Sequence, residues 1–366
     1  MNKLAYKVIR DSRPKSNYRG AVVGCGRMGS TIDDEHVGMP HYPWPWAHAP
    51  AMVEAAGVEL VAGVDIDTAK LEDFGERWGT SGLYTDVREM VACEAPDIVS
   101  VTTRPDERLD VVLELIEAGV RAIFATKPLC RSLAQADEMI EACHRSSTIL
   151  TVACHLNWYA PYRAALELIR RGDIGQIRSI ICNTPLNLSN IGSHTLSLAR
   201  MFAGSNAQWV FGQMDNNEAA VLDHDLSGSG YVSYENGVVA IINSRVPEGS
   251  WSIEILCEKG RIVSRHHHTE FELWVQDKSF GQIDMGYETR RMFPYPWRPR
   301  SSMVDAIEGV AHSIEAGVEE ICPGEFGREA LEIAIALRES HRQDGIRIGL
   351  PLENRSLSIT GRPRAN

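Results

Sequence analysis

The chain lacks paired cysteines, long apolar runs and an excess of positive charge. Its eight cysteines form no C-x-x-C pair, which argues against a disulfide framework or a zinc site, so we expect reduced thiols and a cytoplasmic location. Asp and Glu number 49 against 37 Lys and Arg, and the net charge of −12 argues against binding to nucleic acid or an anionic membrane. We therefore expect a small-molecule partner.

The first 19 residues are polar and basic without a long apolar core, so we expect neither a signal peptide nor a membrane span. The length of 366 residues predicts about two domains, and 44% hydrophobic content suffices for ordinary cores. No internal repeat or low-complexity stretch occurs.

A glycine-rich turn organises the first half of the chain. Small apolar residues from Ala21 lead into Gly24-Cys25-Gly26-Arg27-Met28-Gly29, which has the G-x-G-x-x-G spacing of a strand, tight turn and helix that hold a dinucleotide. In this interpretation Gly24 allows the bend, Gly26 lets the backbone approach a pyrophosphate and Gly29 permits close packing of helix on strand. Arg27 and Met28 are predicted cofactor contacts in the same turn.

A carboxylate follows the second apolar strand at the position where this fingerprint binds ribose. Residues 58–64 end at Asp65, and Asp67 follows without a nearby Arg or Lys. A 2′-phosphate would meet negative charge here, so we expect NAD, with NADP less favoured. The alternative is that Asp65 is only a turn residue at a strand end.

Alternating strand and helix patterns predict an α/β fold with a doubly wound parallel sheet. Strands are expected at 95–102, 122–126 and 148–153, and helices at 68–79, 107–119 and 133–145, the last capped by Ser132. Such alternation predicts right-handed crossovers. We expect a polar extension at 1–18 and an NAD-binding Rossmann domain at 19–154, with Thr103 and Lys127 as further cofactor contacts.

Beyond residue 155 the pattern predicts an α+β domain at 155–350 with an open, mainly antiparallel sheet, followed by a tail at 351–366. A helix is expected at 161–171 and a strand at 177–182. Strands at 230–234 and 238–243 flank Asn236-Gly237, which predicts a type I′ hairpin turn, and strands at 254–257 and 261–264 flank a second turn. Helices are expected at 301–316 and 325–343, packed on either domain.

A proline-rich segment at 41–48 interrupts the pattern after the glycine turn. Its tyrosine and two tryptophans need burial or a ligand, so the segment is either a lid near the cofactor or a surface loop with its own apolar cluster. Both alternatives stay open.

A lysine follows the strand at 122–126, where ligands bind in this architecture. Pro128 favours an extended Lys127, and partial desolvation near a nicotinamide ring would lower the pKa of the lysine and suit it as a base. The alternative is a solvated loop lysine.

At this point the chain resembles the glucose–fructose oxidoreductase / inositol dehydrogenase / MocA (Gfo/Idh/MocA) family. The likeness covers nearly the whole chain and rests on the glycine turn, Ala-Thr-Lys-Pro-Leu at 125–129, Asn-Ile-Gly-Ser-His at 190–194 and Gly-Glu-Phe-Gly-Arg at 324–328. The resemblance implies that Lys127 and His194 are catalytic and that Asn190 binds substrate beside His194. It also implies a homodimer or homotetramer assembled through the sheet of the second domain.

The chain departs from the family pattern at several site positions. Thr126 replaces a common glutamate, Asn190 an aspartate and Arg108 a histidine, and Asn157-Trp158 stands where arginines are common. An i, i+4 spacing would place Asn190 and His194 on one helical face, although asparagine cannot act as a base. Trp158 and Tyr159 are candidate sugar contacts, with core packing as the alternative. A satisfied structural histidine is the alternative for His194.

Three consecutive histidines, His266, His267 and His268, suggest a metal site at first sight. If they lie on a strand, only alternate residues share a face, and no Cys or Asp cluster completes a site, so we interpret them as structural. We predict no metal.

Together these features predict an NAD-dependent oxidoreductase that moves hydride between nicotinamide and a hydroxyl of a sugar, sugar derivative or cyclic polyol, with Lys127 as general acid/base. One alternative is a glycosidase or lyase that keeps NAD bound and oxidises its substrate transiently. A second is a non-catalytic NAD-binding protein.

Overall fold

The computed structural model describes residues 18–39, 44–277, 287–294, 300–317 and 321–360. Most of the predicted N-terminal extension, positions 41–43 of the aromatic segment and positions 361–366 of the predicted tail lie outside these residues. The chain divides into two compact units. The first unit consists of Met1–Leu129, Asp137–Trp158 and Pro299–Gly324. The second unit consists of Cys130–Ala136, Tyr159–Arg298 and Glu325–Asn366.

Six parallel strands form the sheet of the first unit: β1 (Tyr18–Val23), β2 (Val58–Val64), β3 (Gly82–Tyr84), β4 (Ile98–Val101), β5 (Ala122–Ala125) and β6 (Ile149–Val152). Their order is β3-β2-β1-β4-β5-β6, and every neighbouring pair is parallel. All residues of β4 and β5 are buried, as expected for strands covered on both faces. The predicted doubly wound Rossmann sheet is confirmed.

The α-helices are, in chain order, α1 (His48–Glu54), α2 (Thr68–Trp78), α3 (Val87–Glu94), α4 (Arg108–Glu117), α5 (Leu133–Ser146), α6 (Ala160–Arg170), α7 (Gly192–Ala203), α8 (Asn217–Ala220), α9 (Ser302–Ala316) and α10 (Gly324–Arg342). Ser132 caps α5 as predicted, because its Oγ accepts from the backbone N of Gln135 at 3.2 Å. The helical segment after the glycine turn is irregular, a π-helix at Arg27–Thr31 followed by a 3-10 helix at Ile32–His36. Among the described residues, no helix is both long enough and apolar enough to cross a membrane.

The second unit contains a nine-stranded sheet of β7 (Ile177–Asn183), β8 (Ala207–Met214), β9 (Gly228–Tyr234), β10 (Val239–Asn243), β11 (Ser252–Cys257), β12 (Gly260–Arg265), β13 (Glu270–Asp277), β14 (Tyr287–Arg291) and β15 (Ile348–Gly349). The order is β14-β13-β12-β11-β7-β10-β9-β8-β15, and only β7 and β10 pair in parallel. The predicted open, mainly antiparallel sheet is therefore confirmed.

One face of this sheet is covered by α10. A Cβ added at Gly230 would lie 2.4 Å from Cδ2 of Leu337, and one at Gly212 would lie 2.7 Å from the same atom, so both glycines let the helix approach. On the other face, Phe211, Tyr231 and Ile241 occupy consecutive positions across β8, β9 and β10. Phe211 and Ile241 are each 43% exposed.

The turn between β9 and β10 differs from the prediction. Tyr234 and Val238 close a loop of three residues, because the backbone N of Tyr234 donates to the carbonyl of Val238 at 2.9 Å. Of the loop residues only Gly237 has a positive φ, +85°. The type I′ prediction is wrong, because that turn requires positive φ at two central residues, whereas here the single left-handed glycine reverses the chain.

Candidate active site

The glycine turn is tightly packed at its first and third glycines and open at the second, where a phosphate would approach. Gly24 has φ +96°, and a Cβ there would lie 2.8 Å from Oγ1 of Thr102. A Cβ at Gly29 would lie 2.0 Å from the carbonyl oxygen of Gly24, whereas one at Gly26 would meet nothing within 4 Å. Gly24 and Gly29 thus serve the turn and the packing, and Gly26 leaves room for a ligand.

A carboxylate and a hydroxyl border this turn. Oδ2 of Asp65 accepts from the backbone N of Cys25 at 2.9 Å, and Oδ1 accepts from the backbone N of Asp67 at 3.0 Å, so the carboxylate reaches the glycine turn. Oγ1 of Thr103 is buried and has no hydrogen-bond partner among the described residues. These polar groups around an open glycine fit a dinucleotide such as NAD.

The two other residues of the turn differ in their surroundings. Arg27 is exposed and pairs with Glu35, with 2.6 Å between Nε and Oε1. Met28 is half-buried in the π-helix. The guanidinium of Arg27 is therefore already engaged, and a surface pair of this kind contributes little to stability.

Lys127 is half-buried at the carboxyl end of β5 and precedes Pro128 through a cis peptide bond. His155 follows β6, the neighbouring parallel strand, and its Nδ1 lies 2.7 Å from Oγ of Ser302. Burial, and then the positive charge of Lys127, lower the pKa of His155 to about 3. A neutral imidazole therefore accompanies Lys127 near neutral pH.

We did not identify His155 from the sequence, although a signal was present. The carboxyl ends of adjacent parallel strands lie at one sheet edge. His155, three positions after β6, is therefore expected near Lys127, which follows β5.

Arg108 holds the loops that follow β4 and β5. It is 1% exposed, and its guanidinium donates to the carbonyl oxygens of Thr103, Pro128 and Leu129, the last at 3.0 Å. Burial, and then the positive charge of Arg108, lower the pKa of the neighbouring His48 to about 3. The buried positive charge of Arg108 thus holds the segment that carries Lys127 through these hydrogen bonds.

In the second unit, His194 lies in the first turn of α7 and is 6% exposed. Asn190 is exposed and precedes the helix by two residues. The predicted helical i, i+4 pair is therefore wrong, because the helix begins only at Gly192. Asp225 instead supports this turn by accepting from the backbone N of Ser189 at 2.8 Å and of Asn190 at 2.7 Å.

Trp158 and Tyr159 are both buried, in different units. The Trp158 ring meets Phe124 edge-on at 6.1 Å, and its Nε1 would lie 2.8 Å from a Cβ added at Gly309 of α9. Tyr159 lies 6.2 Å from the ring of Phe271. These contacts are those expected if the two side chains pack in the core. A sugar contact at either residue stays a prediction.

The described part of the 41–48 segment forms an aromatic cluster. The rings of Trp44 and Trp46 stack at 5.3 Å, and His36 meets Trp46 at 4.5 Å. Oδ1 of Asp33 accepts from the backbone N of Trp46 at 2.8 Å. These contacts are those expected of a surface loop with its own apolar cluster.

The three histidines do not lie on a strand. They form a turn between β12 and β13, with φ values of +50°, +53° and +65°. His268 is buried against Tyr162, whereas His266 and His267 are exposed. The predicted alternation of these histidines between two strand faces is therefore wrong. Among the described residues, no group of three or more His, Cys, Asp or Glu is arranged to hold a metal ion.

Comparison with known proteins gives matches along both units. The model of the GFO/IDH/MocA oxidoreductase family with an NAD-binding Rossmann fold matches residues 18–154, and that of the GFO/IDH/MocA C-terminal domain matches residues 162–263. The chain is 23% identical to a myo-inositol 2-dehydrogenase of Thermotoga maritima, over 88% of this chain and 96% of that protein. It is 26% identical to a D-apiose dehydrogenase of Paraburkholderia graminis, over 62% of this chain but only 60% of that protein.

A solved structure of an aldose-aldose oxidoreductase from Caulobacter crescentus superposes with a TM-score of 0.75. The match covers 92% of this chain and all of that chain, at 18% identity. At this identity the likeness concerns the fold.

Proposed function

Since the chain belongs to the GFO/IDH/MocA family of oxidoreductases with an NAD-binding Rossmann fold, we propose that it is an NAD-dependent dehydrogenase acting on CH–OH groups. Its substrate class is a sugar, sugar derivative or cyclic polyol, in keeping with relatives named for apiose and myo-inositol. The observation that carries the proposal is Lys127, half-buried beside neutral His155 at the carboxyl edge of the Rossmann sheet. A cytoplasmic location belongs to the same proposal.

Lys127 is the general acid/base in this proposal. NAD, when bound, supplies the hydride acceptor. During alcohol oxidation Nζ of Lys127 takes the hydroxyl proton, and in the reverse direction it returns the proton to the carbonyl oxygen. Neutral His155 adds no positive charge beside Lys127, while His194 and Asn190 bind neighbouring substrate hydroxyls.

The cofactor is held by the glycine turn, Asp65 and Thr103. Gly26 leaves room for the pyrophosphate, and the carboxylate of Asp65 already lies within hydrogen-bond distance of the turn. Asp65 binds the ribose hydroxyls and, with Asp67, disfavours a 2′-phosphate. We therefore expect kcat/KM to be at least about 10-fold higher with NAD than with NADP, which corresponds to about 1.4 kcal/mol.

The test is absorbance at the reduced-nicotinamide band while sugars, inositols and glycosides are added in turn with NAD or NADP. Growth of the band through many turnovers supports the dehydrogenase. Product release without net reduction would instead indicate the glycosidase or lyase that retains NAD. Binding of NAD without turnover of any compound would indicate the non-catalytic protein.

We also propose a homodimer or homotetramer assembled through the exposed face of the second sheet. Trp209, Phe211 and Tyr231 stack there, with 5.4 Å between the Phe211 and Tyr231 rings and 5.2 Å between those of Trp209 and Tyr231. Ile241 continues the row on β10. A contiguous apolar row on an open sheet face favours a self-complementary interface.

Replacing Ile241 with Asp is expected to convert the oligomer to a monomer, because it buries a charge in the proposed interface. Light scattering after size exclusion measures the mass. Val221→Asp is the matched control, since Val221 is 74% exposed outside the sheet. An oligomer unaffected by Ile241→Asp, or a monomeric native protein, would contradict this interface.

A further inference from the structure

Trp251 stands beside His194 in the second unit, immediately before β11. The centroids of the two rings are 6.1 Å apart, with 56° between their planes. We infer that Trp251 is the stacking platform for the apolar face of a ring-shaped substrate. This inference rests on the proposed function and names which carbohydrates the site prefers, cyclic sugars and cyclitols over open-chain polyols.

The indole is tied to the helix that carries His194. Nε1 of Trp251 donates to Oγ1 of Thr195 at 2.9 Å, and Thr195 is fully buried directly after His194 in α7. One hydrogen bond therefore sets the orientation of the indole relative to the histidine. A side chain held in this way loses little further freedom when a ligand binds.

A buried histidine packs against the same indole. The rings of His268 and Trp251 meet edge to face, with 4.8 Å between centroids and 70° between planes. His268 is 1% exposed, and its Nδ1 is hydrogen-bonded to the hydroxyl of Tyr162. That hydroxyl also lies 2.8 Å from Oγ of Ser264 on β12. The third histidine of the run thus serves as a support for Trp251.

Trp251 keeps part of its surface accessible despite these contacts, since it is only half-buried. Ring sugars and cyclitols present C–H groups along one face and hydroxyls around the edge. An indole face covers the C–H groups and removes apolar surface from water, while hydroxyl-binding side chains such as His194 bind the edge. An open-chain polyol has no such rigid face, and must lose more conformational freedom to use the platform.

The test compares Trp251→Leu and Trp251→Phe with the native enzyme, using a ring substrate that turns over, such as myo-inositol or D-glucose, and the open-chain polyol D-sorbitol. For Trp251→Leu we expect KM for the ring substrate to rise about 10-fold with kcat changed less than about 3-fold. Trp251→Phe keeps an aromatic face, so KM for the ring substrate should rise by about 3-fold or less. NAD affinity should be unchanged in both.

Trp274→Leu is the matched control, because Trp274 is a half-buried tryptophan on β13 of the same unit, and its Nε1 donates to Glu272 rather than to α7. KM for the ring substrate within about 2-fold of the native value in Trp251→Leu would overturn the inference. An equal rise in KM for the open-chain polyol in Trp251→Leu would also overturn the inference. If the native enzyme itself turns over no carbohydrate, the proposed function fails, and the inference fails with it.

Discussion

Replacing Lys127 with methionine should lower kcat for carbohydrate oxidation by about 10³-fold, within the range that a positioned acid/base contributes. Methionine retains much of the length and apolar stem of lysine but has no group that exchanges a proton. Because the glycine turn, Asp65 and Thr103 remain, NAD affinity should change by less than about 10-fold. Steady-state absorbance measures kcat, and calorimetric titration measures NAD affinity.

Two further variants sharpen this test. Lys127→Arg keeps the positive charge but does not release its proton at ordinary pH, so it should be nearly as inactive as Lys127→Met. Lys259→Met removes an exposed lysine from the turn between β11 and β12 and should behave as the native enzyme. Native turnover in Lys127→Met would disprove the role of Lys127 as general acid/base.

Arg108→Met should have the second largest effect, on both stability and turnover. It leaves the carbonyl oxygens of Thr103, Pro128 and Leu129 without their charged donor, and buried hydrogen bonds to charged groups contribute about 1.5–3 kcal/mol each. Allowing for relaxation, we expect the free energy of unfolding to fall by about 3–5 kcal/mol. Displacement of the loop carrying Lys127 should lower kcat by about 10²-fold, because catalysis depends on closely defined geometry.

The pH profile separates positioning of Lys127 from simple loss of stability. Arg108 contributes a buried positive charge, which favours the neutral form of nearby bases. Without it, protonated Lys127 becomes more favourable, so the acid limb of kcat/KM should move to higher pH. Measurements are made well below the unfolding temperature. Folded Arg108→Met with native kcat and an unmoved pH profile would show that Arg108 does not position Lys127.

Arg121→Met is the control for loss of an arginine from the same unit. Arg121 is largely exposed and pairs with Asp97 at 3.0 Å, so its loss should cost less than about 1 kcal/mol. Arg108→Lys keeps a buried charge but offers a single ammonium in place of the planar fork that spans several acceptors. It should fall between Arg108→Met and the native enzyme in both stability and kcat.

Most predictions of secondary structure from local sequence patterns are confirmed. The order of strands and helices, the cap at Ser132 and the open space above Gly26 follow from apolar periodicity, capping preference and glycine spacing. The errors occurred at element ends. Asn190 lies outside the helix, and the histidine run is a turn, because a short polar sequence suits either conformation until its neighbours are known.

By itself, the sequence determined a Rossmann sheet that ends in a glycine turn, a carboxylate and a lysine, because each depends on residues close together along the chain. Only the tertiary structure decided what supports them. Arg108 meets the carbonyl of Pro128, Asp225 meets the backbone of Asn190, and His268 meets Trp251 across 17 to 35 positions of the chain. Such contacts depend on the order of the strands and the path of the loops, which local propensity does not determine.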